Sequence, residues 1–260
     1  MIRADGRWGG RVTSRPLLDG DSTLDALTDS GRRTLADVWL ARAATERRVA
    51  DSFRVIRDAL KELGTDETLV TLADRAIDDE FRHAEICRFV ASRYAGRELD
   101  PPPELELTVP MHKGASRELT LELWVIGQSC MNETIASAFL EAAVATSNAP
   151  MARGALRELL SDEIDHARLG WAFLATLPPS RHAALGPWMF GMLRENLKLW
   201  RDSPRSYPMT DELASQGAPR EEVVEDALIS AVRDLVIPGL ERFRMPTAKL
   251  HAWLEAGAPT

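Results

Sequence analysis

Two copies of one short motif, Asp79-Glu80-x-x-His83 and Asp162-Glu163-x-x-His166, each follow a further glutamate, Glu46 and Glu133. Glu46 precedes Glu80 by 34 residues and Glu133 precedes Glu163 by 30, so the chain repeats the form E…DExxH. On a helix, residues three apart share a face, so each motif sets a carboxylate beside an imidazole. Carboxylate oxygens and neutral imidazole nitrogens suit iron and manganese. Four carboxylates and two imidazoles come close to neutralising two divalent cations. The chemistry to expect is a dimetal centre on Glu46, Glu80, His83, Glu133, Glu163 and His166, which would also be the catalytic residues.

Helices must position these groups. The patterning has helical period throughout, with no convincing alternating strand. Long helices are predicted over residues 33–63, 66–95, 116–145 and 150–176, after a short one near 21–30. Gly64 suits the position just past the first helix, Thr65 or Asp66 can cap the second, and Ser116 caps the third. The triple proline after Asp100 excludes a continuous helix and makes a crossover of roughly twenty residues between the two pairs. Further helical stretches fall near 181–201, 220–243, with a kink at Pro238, and 246–256. The expected fold is all-α: a four-helix bundle with one long crossover over residues 33–177, a leader at 1–32, and a helical extension at 178–260 that packs on the bundle.

Written with heptad spacing, the interior stripe of each long helix carries one glutamate near its middle. The first reads Leu35, Trp39, Arg42, Glu46, Val49, Phe53; the second Ala76, Glu80, His83, Cys87; the third Cys130, Glu133, Ser137, Leu140; the fourth Leu159, Glu163, His166, Gly170, Phe173. The levels match. Glu46 and Glu80 stand 19 and 15 residues from the turn near 65, and Glu133 and Glu163 stand 16 and 14 from the turn near 149. Unpaired buried carboxylates cost several kcal/mol each, and two cations would compensate them. Arg42 reads as an end-of-core residue reaching solvent. Cys87, Cys130, Ser137, Leu159 and Gly170 surround the ligands as candidate pocket walls, with Gly170 leaving space.

The bulk properties narrow the remaining classes. A net charge of −8 is the wrong sign for a general affinity for nucleic acid. No apolar run approaches the ~20 residues that cross a bilayer, and the polar N-terminus is not a secretory signal. Two cysteines without a CxxC pair build no disulfide framework, so a reduced, cytoplasmic setting is expected.

The repeated motif resembles the signature of the ferritin-like di-iron carboxylate proteins, over residues 33–177. That resemblance implies that the six residues ligate two Fe ions, with some glutamates bridging, and that Asp79 and Asp162 hydrogen-bond ligand histidines. It implies an oxidoreductase of oxidase or monooxygenase type. Such an enzyme takes O2, a small organic substrate and an external electron donor, and a homodimer would be in keeping. Iron-handling ferroxidase and dimanganese catalase remain alternatives. The ribonucleotide reductase radical subunit has a tyrosine where Cys87 stands, and rubrerythrins add a CxxC iron site missing here. Cys87 with Ser137 is more similar to the hydroxylase subunits of bacterial multicomponent monooxygenases, which are much longer. The arylamine N-oxygenases carry an extra histidine where this chain has Leu159.

Overall fold

The computed structural model describes residues 21–202 and 210–259, and among these every regular element is helical. A 3-10 turn, Ser22–Ala26, leads into α1 (Asp29–Glu62) and α2 (Glu67–Ala95). The third rod has three parts in sequence: α3 (Arg117–Val125), a π-helical segment (Ile126–Asn132) and α4 (Glu133–Thr146). α5 (Pro150–Thr176) completes the bundle. Then come α6 (Pro179–Arg201), α7 (Asp211–Ser215), α8 (Glu221–Ala231), a second π segment (Val232–Val236), α9 (Ile237–Arg242) and α10 (Ala248–Glu255). The expected leader at 1–20 lies outside the described residues.

Local chemistry sets the boundaries. Thr28 accepts from Gly31 N–H, Asp66 from Thr68 N–H and Ser116 from Leu119 N–H, each satisfying a donor the helix leaves free. Gly64 and Gly96 end α1 and α2 in the left-handed conformation that glycine adopts without strain. Residues 96–116 form the crossover, pinned by Arg88 Nη1 to the Leu99 carbonyl at 2.8 Å and Trp124 Nε1 to the Pro110 carbonyl at 2.8 Å. Pro238 has no N–H for the ladder, and the chain widens into a π turn before it, which is the physical form of the expected kink.

Two sequence expectations need correction. The third rod is not one regular helix, because the π segment interrupts it just before Glu133. The stretch after Arg201 also contains α7, which the patterning did not reveal, since five residues are too few to establish a period.

α1 lies along α2, α5 packs against α4, the first π segment and α2, and α1 meets α3. α6 covers α3 and the π segment, and α8 covers α4. The third rod is therefore clothed on two sides, and its residues 121–131 are buried nearly all round. Within it Glu122 is buried and held by two of the three Arg181 nitrogens, with Nε at 2.8 Å. The apolar core falls into two clusters. One is built around Phe53, Ile126, Cys130 and Phe173, and the other around Trp39, Cys87, Tyr94 and Leu159. Between them, at mid-height of the four long helices, lies a polar layer. No described helix is long and apolar enough to cross a membrane.

Candidate metal centre

That layer consists of the six residues singled out by the repeat. Each long rod delivers one glutamate, and α2 and α5 each add a histidine one turn on. Glu80, His83, Glu133, Glu163 and His166 are buried. Glu46 keeps partial exposure as a residue, while its carboxylate lies among the others. The donor atoms form two overlapping sets. Glu46, Glu80, His83 and Glu163 offer atoms within 4.8 Å of one another, and so do Glu80, Glu133, Glu163 and His166. Glu80 and Glu163 belong to both.

Both histidines turn the same nitrogen inward. His83 Nδ1 is 3.5 Å from Glu80 Oε2 and 3.4 Å from Glu163 Oε1. His166 Nδ1 is 3.1 Å from Glu80 Oε1 and 3.2 Å from Glu163 Oε2. The outer nitrogens meet aspartates crosswise: His83 Nε2 lies 3.2 Å from Asp162 Oδ2 on α5, and His166 Nε2 lies 3.7 Å from Asp79 Oδ2 on α2. A carboxylate on the outer nitrogen fixes the tautomer and leaves the inner one a lone pair. Asp162 is within hydrogen-bond reach of His83 for this, whereas His166 Nε2 is buried without a hydrogen bond and its Nδ1 meets Glu163 Oε2 at 3.2 Å.

Metal-free chemistry accounts poorly for this arrangement. Both Glu80 oxygens and His83 Nδ1 are buried without a directed hydrogen bond, and such atoms cost free energy unless something fills their lone pairs. Burial and then the charge of Glu163 push Glu46 up to about 7. The same two causes drive Glu80 and Glu133 well above the ordinary range. Burial also acts on Glu163, but the imidazoles of His166, hydrogen-bonded at 3.2 Å, and of His83, 3.4 Å away, outweigh it and hold that carboxyl well below its usual range. His166 is raised despite burial, by Asp79, Glu163 and Glu80, whereas burial lowers His83. Lacking cations, the cluster must hold protons instead. The donor set and its unfilled atoms fit two metal ions.

Two supporting residues escaped the sequence reading. Arg82, buried in the first motif, contacts Asp162 and lies 3.7 Å from both Asp79 and Glu158. One guanidinium thus anchors both aspartates behind the histidines. Its signal was its place three residues after Asp79, on the same face. Gln128, in the π segment, donates its side-chain N–H to Glu133 Oε1. No simple spacing announces it, because the wide π turn carries it there.

The candidate pocket walls divide. Cys87 and Leu159 are fully buried in one core cluster and Cys130 in the other. Ser137 is half-buried, and its hydroxyl is covered without a partner. Gly170 does not leave space: a Cβ there would come 2.5 Å from Cys130 N and 2.6 Å from Ser129 Cβ, so it is a close-approach point of α5 on the π segment. Arg42 also departs from expectation. Instead of reaching solvent past the core, its guanidinium lies over Trp39 and Phe139 and donates to the Gly217 carbonyl at 3.2 Å.

No family model matches the chain, and neither a curated protein nor a solved structure matches it.

Proposed function

We propose that this chain is a ferritin-like, non-haem di-iron oxidoreductase that uses O2 to oxidise or oxygenate a small organic substrate. The observation that carries the proposal is the pair of overlapping ligand sets, each with its own glutamate and histidine and both sharing Glu80 and Glu163. Two Fe(II) ions held there would together supply two electrons to O2. Glu80 and Glu163 would span the pair, Glu46 and His83 would complete one end, and Glu133 and His166 the other. Arg82, through Asp162, would hold the His83 imidazole with Nδ1 inward, and it lies 3.7 Å from Asp79 behind His166. Cys87 and Leu159 on one side, and Cys130 and Phe53, whose ring lies 5.1 Å from that of His166, on the other, belong to the apolar clusters that flank the layer. On this reading the reducing electrons come from an external donor.

The test is metal analysis of purified protein followed by exposure of its reduced form to O2. The reading expects two irons per chain, oxidised by O2 with an optical change that Glu80→Ala abolishes. The same donor types suit manganese. Protein that holds only manganese and disproportionates hydrogen peroxide would instead be a dimanganese catalase.

A further inference from the structure

The interior stripe of α1 is almost fully buried at both ends and only partly covered in the middle. Leu35 and Trp39 on one side, and Phe53, Ile56 and Leu60 on the other, are fully or almost fully buried, whereas Arg42, Glu46 and Val49 between them are only half-buried. The matching stretch of α4 behaves alike: Glu133 and Leu140 are buried, but Ala136, Ser137 and Phe139 between them are half-buried. α1 runs along α2 and meets α3, yet scarcely approaches α4. The opening therefore lies between α1 and α4, at the level of the carboxylate–histidine layer. Glu46, the one half-buried member of the six, stands on its α1 wall.

Arg42 stands one turn before Glu46 in this otherwise apolar stripe. Its guanidinium spans the opening, 4.5 Å from the centre of the Trp39 ring on α1 and 5.6 Å from that of Phe139 on α4. One nitrogen donates to the Gly217 carbonyl, while Nη1 is buried with no partner. Arg42 has no ion pair among the described residues, and Glu46, which its charge reaches, is committed to the cluster. A buried guanidinium nitrogen without a partner or counter-charge is costly, and a carboxylate matches the paired N–H groups. The covered, partnerless hydroxyl of Ser137 adds a second polar group to the same opening.

We propose that the cleft between α1 and α4 admits a small organic acid, whose carboxylate Arg42 holds while its other end rests against the Glu46 side of the metal centre. The proposal rests on the dimetal reading of the cluster. Residues four apart on a helix face stand about 6 Å apart at Cβ, so the ligand's carboxylate and reacting end are separated by about one ring or a few carbons.

Cobalt(II)-loaded protein, with metal content measured on every sample, is titrated with benzoate, hexanoate and their neutral amides, benzamide and hexanamide. The readouts are the visible spectrum of the cobalt and the melting temperature. Both acids should bind saturably, and each amide at least about ten-fold more weakly. Arg42→Gln should keep two cobalts but lose at least about ten-fold in affinity for the acids, and Arg42→Lys should keep the preference for acid over amide. Unchanged acid binding in Arg42→Gln would put the carboxylate on the metal and overturn the proposal. So would an acid that binds no better than its amide, a comparison that wild-type protein decides even where Arg42→Gln does not fold. Wild-type protein that fails to hold two cobalts brings down the dimetal reading and this one with it. Bound cobalt with no preference for acids brings down this one alone.

Discussion

Glu80 and Glu163 differ from the other two glutamates in belonging to both ligand sets. Removing a shared carboxylate strips both ions of a ligand, whereas removing Glu46 or Glu133 affects one end. Glu80→Ala should therefore lose about two metals per chain, and Glu46→Ala or Glu133→Ala about one, as counted by metal analysis after dialysis. Equal losses from all three would contradict the shared assignment. The protons of the cluster give a second test. Burial raises Glu46 to about 7 and drives Glu80 and Glu133 well above the carboxylate range, while His166 is raised above the usual imidazole value in spite of burial, by Asp79, Glu163 and Glu80. A group raised on folding binds more protons folded than unfolded, so its contribution is present at low pH and is lost as pH rises through the folded value. His83, lowered, works the other way, but only below about 6.5, where the unfolded imidazole takes up its proton. Between pH 6.5 and 8.5, then, the apo protein should lose stability. Metal affinity should climb over the same range, because cations displace those protons. Melting curves with and without Mn(II) should diverge as pH rises. A gap that narrows would mean that the acids are already ionised without metal.

The helices place these groups through a few contacts that a periodic reading cannot contain. Gly170 brings α5 against the π segment so closely that Gly170→Ala would drive a methyl into the backbone of Ser129 and Cys130. Overpacking against backbone costs about 1–3 kcal/mol, so that variant should melt at a lower temperature while retaining all six donors. A variant as stable as the wild type would show that α5 has slack there. The long helices, the caps at Asp66 and Ser116 and the level of the four glutamates were legible in the sequence, whereas the Thr28 cap that starts α1 at Asp29 was not. The legible features follow from local rules: period, capping chemistry and residue count. The π segment was not, because its extra residue disturbs the ladder without removing hydrophobic residues, and residues 121–131 are apolar enough to fit either register. Arg82 hid inside the motif it supports, since charge alone does not say which acid a side chain will meet. Arg42 was visible as a polar residue in a stripe. Its position between Trp39 and Phe139 depends on a loop at Gly217, 175 residues away in the chain.

Across the whole molecule the carboxylate–histidine layer is also a joint. It divides the apolar interior into two clusters, and the four long helices carry both across it. A layer of crowded acids is a weak seam, whereas cations bound only in the folded state add stability by mass action. The surroundings of this joint bear on whether the chain oxidises a substrate or stores iron. Growth of a mineral needs a surface on which many further ions can settle next to the oxidising site. Here α6 and α8 cover the outer side of the third rod, and α7 meets α1 and α4. The glutamates at the layer are all engaged in the two ligand sets. Reduced protein should therefore consume about one O2 for every two irons and then stop until electrons or substrate arrive. Iron uptake should level off at about two per chain, set by the same two ligand sets, with the protein eluting from a sizing column as a dimer or other small oligomer. Anaerobic loading, stepwise addition of Fe(II) in air and iron analysis of the eluted protein test this together. A cage-sized particle carrying tens of irons per chain would replace the oxidase reading with storage and leave the ligand assignment standing.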